Sequence, residues 1–260
     1  GYYAQPRNLT TSDDCFLLKF LDIWLRLRSA SVNCSLSGVE GSNINPVFFV
    51  FDECLMTTAA FASLSLAPAL LQSLESLGYT EMTAIQQQSL PAMLSGKDIL
   101  AKAKTGSGKT AAFSLALLSK VDPLIYKPQV LVLCPTRELA EQVSKEIRAL
   151  ARFIPNIKLL TLCGGVPIIH QLTSLEQAPH IVVGTPGRVL DHLTRDTLYL
   201  DFLKVLVLDE ADRMLDMGFE EDIHKIVKKT PPKRQSLLFS ATYPDSIQSI
   251  SQRILQSPVV

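Results

Sequence analysis

From residue 63 onward the sequence alternates short β-branched or leucine-rich runs with longer amphipathic stretches, and that alternation leaves few folds open. Strands are expected at 99–103, 129–134, 158–162, 180–184, 204–209 and 236–240. Helices are expected at 66–77, 84–94, 109–120, 137–153, 168–176, 187–194, 220–228 and 245–256, with Gly78 and Gly96 as the stops of the first two. Apolar strands separated by helices imply an α/β fold, a mostly parallel sheet with helices on both faces, because the crossovers between parallel strands cover the sheet. Ligands of such sheets bind at the carboxyl ends of the strands. The chemistry is therefore to be sought in the residues that follow each strand.

Two strand exits carry a legible pattern. The first runs into "AKAKTGSGKT" (101–110) and then a helix. In G-x-x-x-x-G-K-[ST] loops, backbone N–H groups wrap a phosphate chain, lysine reaches the outer phosphates and the hydroxyl reaches Mg²⁺. The positive end of the helix dipole adds to the attraction. Gly108, Lys109 and Thr110 match; Lys104, Thr105, Gly106 and Ser107 form the loop, and Ala103 stands at the first glycine position. Taken alone, this stretch is also compatible with a plain glycine-rich turn. The second exit is "VLVLDEADRM", where Asp209 and Glu210 end an apolar strand. Asp209 would organise the metal through its water shell, and Glu210 would accept the proton of an attacking water. A solvated acidic cap is the plainer alternative. Both exits in this order indicate a P-loop NTPase. Lys109→Ala is expected to abolish nucleotide binding and to leave the fold intact, on the view that a surface-loop lysine carries little packing.

Composition narrows the partners. With 25 Lys plus Arg against 25 Asp plus Glu, no overall field draws the chain to nucleic acid or an anionic membrane, so a polyanion must be gripped locally. The five cysteines are odd in number and form no C-x-x-C pair, which argues against a disulfide framework or a zinc site and makes a reducing cytoplasm the simplest setting. The apolar run at 16–27 is broken by Lys19, Asp22 and Arg26, so it falls short of the roughly 20 residues of a membrane helix. Residues 1–55 show no sustained period, and the first methionine is Met56. The expected organisation is a leader at 1–55, mis-assigned upstream sequence or else an idiosyncratic extension, followed by one domain at 56–260.

The acidic motif continues as Asp209-Glu210-Ala211-Asp212, and "PTRELA" (135–140), "GG" (164–165), "TPGR" (185–188) and "SAT" (240–242) accompany it in order. On these motifs, residues 61–260 resemble the first RecA-like domain of a DEAD-box ATP-dependent RNA helicase. "LCPTRELA", "LTLCGG" and "DEADRMLDMGF" bring the likeness nearest to the bacterial DbpA type. The resemblance implies a RecA-like P-loop NTPase domain using ATP and Mg²⁺, in which Ala103 is ordinary, Lys109, Asp209 and Glu210 are catalytic, and Thr110 and Asp209 serve the metal. "GYTEMTAIQ" (78–86) resembles the family's adenine-recognition element, with Tyr79 stacking on the base, Phe61 as the upstream aromatic, and Thr83 and Gln86 as its defining residues. The Gln86 amide offers a donor and an acceptor to the adenine Hoogsteen edge. Met82 stands where the family has proline, which implies a looser turn.

By the same resemblance, Pro135, Thr136, Arg137, Gly164, Gly165, Thr185, Gly187 and Arg188 contact the RNA backbone without reading its sequence, and Asp212, Ser240 and Thr242 couple ATP state to RNA state. The family pattern continues past residue 260 into a second RecA-like domain that supplies arginines to the γ-phosphate, and in the DbpA type into a basic RNA-binding tail. The whole protein would separate short duplexes, with ribosomal RNA and ribosome assembly as the implied setting, while this chain alone would bind ATP and RNA without unwinding. A P-loop kinase or transferase is the competing reading, and no lid or acceptor site in the sequence supports it.

The sheet pattern is complete without the leader. Deleting residues 1–55 should leave the thermal midpoint and the ATP affinity essentially unchanged. A large drop in either, by calorimetry or nucleotide titration, would show that the leader packs against the domain.

Overall fold

The structure is a computed structural model that describes residues 60–260; the leader expected at 1–55 lies outside them. After a 3-10 turn at Phe61–Ser63 the elements run α1 (Pro68–Ser76), α2 (Ala84–Leu94), β1 (Ile99–Lys102), α3 (Lys109–Leu118), β2 (Val130–Leu133), α4 (Arg137–Leu150) and β3 (Leu159–Leu162). They continue with α5 (Ile168–Leu175), β4 (Ile181–Gly184), α6 (Pro186–Thr194), β5 (Val205–Leu208), α7 (Ala211–Asp216), α8 (Glu220–Lys228), β6 (Gln235–Ser240) and α9 (Asp245–Ile254). Each strand lies within one residue of its expected limits. The 3-10 turn and α7 are too short to show a helical period in the sequence.

The six strands form one sheet in the order β1-β6-β5-β2-β4-β3, and every pair is parallel. Its two faces are written into the strands. β2 and β5 both read VLVL, and because successive side chains point to opposite faces, Val130, Val132, Val205 and Val207 join one core while Leu131, Leu133, Leu206 and Leu208 join the other. The valine face is covered by α2, α3 and α4 through Leu90, Met93, Phe113, Leu117, Val143 and Ile147. The leucine face is covered by α6 to α9 through Val189, Met214, Ile223 and Ile250. Each fully buried Leu or Phe contributes on the order of 1.5–3 kcal/mol.

Parallel order places all six strand exits on one edge and sorts them. The exits of β1, β6 and β5 are neighbours, and so are those of β2, β4 and β3. Gly184, the last residue of β4, lets this second group close up, since a Cβ there would lie 2.4 Å from the Leu162 carbonyl oxygen and 2.8 Å from Val189. The two sheet edges differ. β1 is paired beyond the named strands by Leu100 N–H to the Val259 carbonyl (3.0 Å) and Val259 N–H to the Asp98 carbonyl (2.8 Å), whereas β3 pairs only with β4 among the described residues.

Candidate functional site

The exits of β1, β6 and β5 bring the 103–108 loop beside an acidic strand end. Gly108 caps α3 at φ 89°, and a Cβ there would meet the Gln86 amide nitrogen at 2.7 Å, so the close approach and the left-handed backbone both require glycine. The loop is braced from the 78–86 segment: Thr83 Oγ1 donates to the Ser107 carbonyl (2.9 Å) and Gln86 Nε2 donates to the Gly108 carbonyl (3.0 Å). Gln86 Oε1 accepts from the Thr83 N–H (2.9 Å), closing a capping box on α2. Ser107 Oγ donates to the Lys104 carbonyl, while Lys104, Thr105 and Gly106 remain exposed.

Lys109 and Asp209 form the centre. The Lys109 ammonium lies 2.8 Å from Asp209 Oδ1 and 3.6 Å from Glu210 Oε1, with Lys109 4 % and Asp209 0 % exposed. Burial raises the Asp209 pKa, and the lysine charge opposes that rise. Asp209 Oδ2 is buried without a hydrogen-bond partner. Glu210 Oε1 accepts from Thr105 Oγ1 (3.1 Å), Oε2 lies 3.5 Å from Arg213, and the residue is held at φ 54°. A non-glycine residue in that region costs on the order of 1–2 kcal/mol, and such outliers concentrate where a side chain must be aimed. An orphaned carboxylate oxygen suits a hard cation or its water shell, and the half-buried Thr110 in the first turn of α3 is an oxygen donor at the neighbouring β1 exit.

Five expectations change in this light. Lys109 is a buried partner of a buried acid, not a surface-loop lysine, so its removal acts on the fold as well as on the ligand. Phe61 is 3 % exposed and meets the half-buried Tyr79 edge-on at 6.2 Å, so little of its ring is open to a ligand. Ala103 N–H is used by the Ser240 carbonyl (3.0 Å), which removes it from the phosphate cradle. Gln86 is 1 % exposed with both amide ends engaged, so here it is a strut between α2 and the loop and must exchange those bonds to face a base. Met82, expected to loosen its turn, is buried, and its carbonyl accepts from Gln87 Nε2 (2.9 Å).

The β5 and β6 exits are tied together at Asp212. Its Oδ2 accepts from Thr242 N–H (2.9 Å) and Thr242 Oγ1 (2.8 Å), while Ser240 Oγ donates to the Thr242 carbonyl (2.6 Å). Burial pushes the Asp212 pKa up, but hydrogen bonds from Thr242, Arg213 N–H and Ser240 outweigh it and the net shift is down. Asp212, Ser240 and Thr242 thus form the cluster that the sequence grouped.

The exits of β2, β4 and β3 bring the remaining residues together. Thr136 caps α4, its Oγ1 accepting from Leu139 N–H (3.3 Å), and Arg137 is exposed in an ion pair with Glu141 at 2.8 Å. A Cβ on Gly165 would stand 3.7 Å from Arg137 Nη1, so the glycine loop and that arginine are neighbours. Gly164 and Gly165 are exposed, Thr185 and Gly187 are half-buried, and Pro135 is buried. Arg188 is occupied: its Nη1 donates to the Val166 carbonyl (3.0 Å) and to Gln171 Oε1 (2.9 Å).

Gln171 escaped the sequence reading. It is 6 % exposed and joins three parts of this surface, since its Nε2 donates to the Cys163 carbonyl ahead of the glycine pair while its Oε1 receives Arg188 and His192 Nε2, each at 2.9 Å. An amide oxygen only accepts, so His192 carries its proton on Nε2. Burial, then the Arg188 charge, lowers the His192 pKa. No motif flags a glutamine inside α5. The helix reads IIHQLTSL, and with four polar residues in eight nothing in it sets Gln171 apart.

The profile of the DEAD/DEAH box helicase family matches residues 83–250. The ATP-dependent RNA helicase DbpA of Escherichia coli is 57% identical over 201 residues, which are 77% of this chain and 44% of that protein. The ATP-dependent RNA helicase CshA of Listeria monocytogenes is 48% identical over 198 residues, 76% of this chain and 38% of that protein. The chain therefore spans less than half the length of these curated relatives. Among solved structures, a DEAD box protein from the hyperthermophile Methanococcus jannaschii superposes with a TM-score of 0.74 at 38% identity, over 78% of this chain and 56% of that one.

Two predictions follow from the charged pairs. Lys109→Met leaves a buried carboxylate unpaired and should cost about 3 kcal/mol in urea denaturation at neutral pH. That loss should shrink as the pH falls, because protonating Asp209 removes the unpaired charge, and Lys109→Met/Asp209→Asn should recover most of it. A stable single variant would contradict the pairing. Asp212 behaves with the opposite sign: its folded pKa lies below the ordinary 3.8, so its contribution is present above that value and is lost as pH falls through the folded pKa. Thr242→Val should cost about 1 kcal/mol at neutral pH and progressively less in acid; a deficit independent of pH would contradict the bond.

Proposed function

Because the chain belongs to the DEAD/DEAH box helicase family, we propose that it is the RecA-like half of an ATP-dependent RNA helicase that holds ATP at the β1, β6 and β5 exits and the RNA backbone at the β2, β4 and β3 exits. The observation that carries this reading is the sorting of the motifs: the phosphate loop and the acidic pair follow β1 and β5, on either side of the β6 exit, and every backbone-gripping residue follows β2, β3 or β4. A kinase or transferase gives no reason for the second group.

The chemistry runs from the residues present. Backbone N–H groups of the Thr105–Lys109 stretch and the positive end of α3 receive phosphate oxygens. Phosphate binding draws the Lys109 ammonium away from Asp209, which leaves Asp209 and the Thr110 hydroxyl as oxygen donors for Mg²⁺. The cation, when bound, neutralises charge on the phosphates. Glu210, held by Thr105 and by its own backbone, accepts the proton of the attacking water. Tyr79 lies against one side of the base, and Gln86 reads adenine after releasing the Gly108 carbonyl.

On the second surface, Thr136, Arg137, the Gly164–Gly165 backbone, Thr185 and Gly187 receive RNA phosphates, with Gln171 fixing Arg188 behind them. Such contacts position a strand and read no bases. A second RecA-like domain supplies the arginines that stabilise the transferring phosphoryl group, so this chain alone binds without unwinding. Ribosomal RNA as substrate and the cytoplasm as setting belong to the same proposal and rest on the resemblance alone. Among the described residues no helix is long and apolar enough to cross a membrane.

The test is RNA-stimulated ATP hydrolysis by the 260-residue chain, with and without an added second RecA-like domain. Glu210→Gln should keep ATP affinity within about threefold and lower the stimulated rate by about 10²-fold or more. Equal rates in variant and parent would remove Glu210 from the mechanism, and efficient duplex displacement by the chain alone would refute the need for a second domain.

A further inference from the structure

A cavity lies at the end of α4 opposite Arg137. It has a volume of about 570 Å³ and is lined by Arg148, Arg152, Lys158, Leu159 and Gln177 among others, with no carboxylate in its wall. None of its three cations makes an ion pair with an acid in the described residues. Arg148 spends one N–H on the Leu159 carbonyl at 3.4 Å, Arg152 lies over the Phe153 ring, and Lys158 donates to the Gln177 carbonyl at 3.0 Å. In a chain of zero net charge such a concentration is local, and Glu176, beside Gln177 in sequence, lies outside the lining.

One flank of α4 leads from the grip around Arg137 towards the cavity. At 100° per residue Arg137, Glu141, Lys145 and Arg148 fall within an arc of about 80°, one flank of α4 carrying three cations and one acid, and Arg152 lies just past the end of the helix. Ser144, next to that flank, bonds Thr161 of β3 at 2.9 Å, which sets the flank over the β3 edge. Arg137 and Arg148 are eleven residues apart, about 16 Å along the helix. The same two elements that begin or end at the proposed RNA grip thus lead to the cavity: α4 from Arg137, and β3 backwards from the glycine pair.

We propose that a single RNA strand leaving the Arg137 and Gly164–Gly165 grip runs along this flank and is held again through its phosphates by Arg148, Arg152 and Lys158. The proposal rests on the RNA reading of the preceding subsection. Two guanidinium forks and an ammonium suit phosphate oxygens, and a groove that tracks the backbone by charge is indifferent to sequence.

The test uses the full 260-residue chain and fluorescence anisotropy with oligouridylates of about 6 and about 12 nucleotides, lengths that bracket one short and one extended site. Arg148→Glu/Arg152→Glu should weaken the longer oligomer about tenfold at low salt and the shorter one less than twofold. Its salt dependence for the longer oligomer should flatten by about 0.7 per lost phosphate contact. The neutral pair Arg148→Gln/Arg152→Gln should fall between variant and parent, and ATP affinity and the melting profile should not move. Equal losses at both lengths, or no loss at either, would overturn the path and leave the cations as guards of the β3 edge. If the parent binds neither oligomer, or Arg137→Ala leaves the shorter one unaffected, the RNA surface itself fails, a different result from failure of the path alone.

Discussion

Six strands that all run one way impose the rest of this architecture. Parallel strands need crossovers, the crossovers bury both faces, and every strand then opens onto the same edge. Strand order does the further sorting, because the chain starts at one margin, moves inward to β2, and returns to fill the gap with β5 and β6. Residues far apart in sequence meet as a result. Thr105 and Glu210 share a hydrogen bond across 105 positions, and Asp212 and Thr242 share two across 30.

Within that frame the β5 exit carries the cost. Asp209 is a fully buried carboxylate, Glu210 is held at a positive φ, and neither is favourable in isolation. Lys109 makes the arrangement tolerable by placing its ammonium against both. On the proposed reading a phosphate must compete with Asp209 for the lysine, so ligand binding would be linked to the electrostatics of this pair. A stable fold here needs either the lysine or a protonated aspartate.

The sheet was legible because short apolar runs such as VLVL between longer amphipathic stretches are local signals, and most motif residues were legible because they stand directly after a strand. What escaped was tertiary. Nothing local distinguishes a lysine reaching outward from one turned onto an acid a hundred residues away, so Lys109 read as a loop residue. Phe61 read as a ligand contact because its position matched, whereas packing against Tyr79 buries it. Gln86 has the atoms to read a base, yet the same atoms satisfy Thr83 and Gly108 first. Gln171 carries no motif at all and shows its role only once Cys163, Arg188 and His192 converge on its amide.

Amide hydrogen exchange of the 260-residue chain, alone, with ATP and Mg²⁺, and with single-stranded RNA, tests the division of the strand exits most directly. ATP should slow exchange at 104–110 and 209–212, and RNA should slow it at 136–137, 164–165 and 185–188, each ligand leaving most of the other set unchanged. Protection of both sets by either ligand alone, or protection by ATP confined to the β2, β4 and β3 exits, would contradict two sites sorted by strand order.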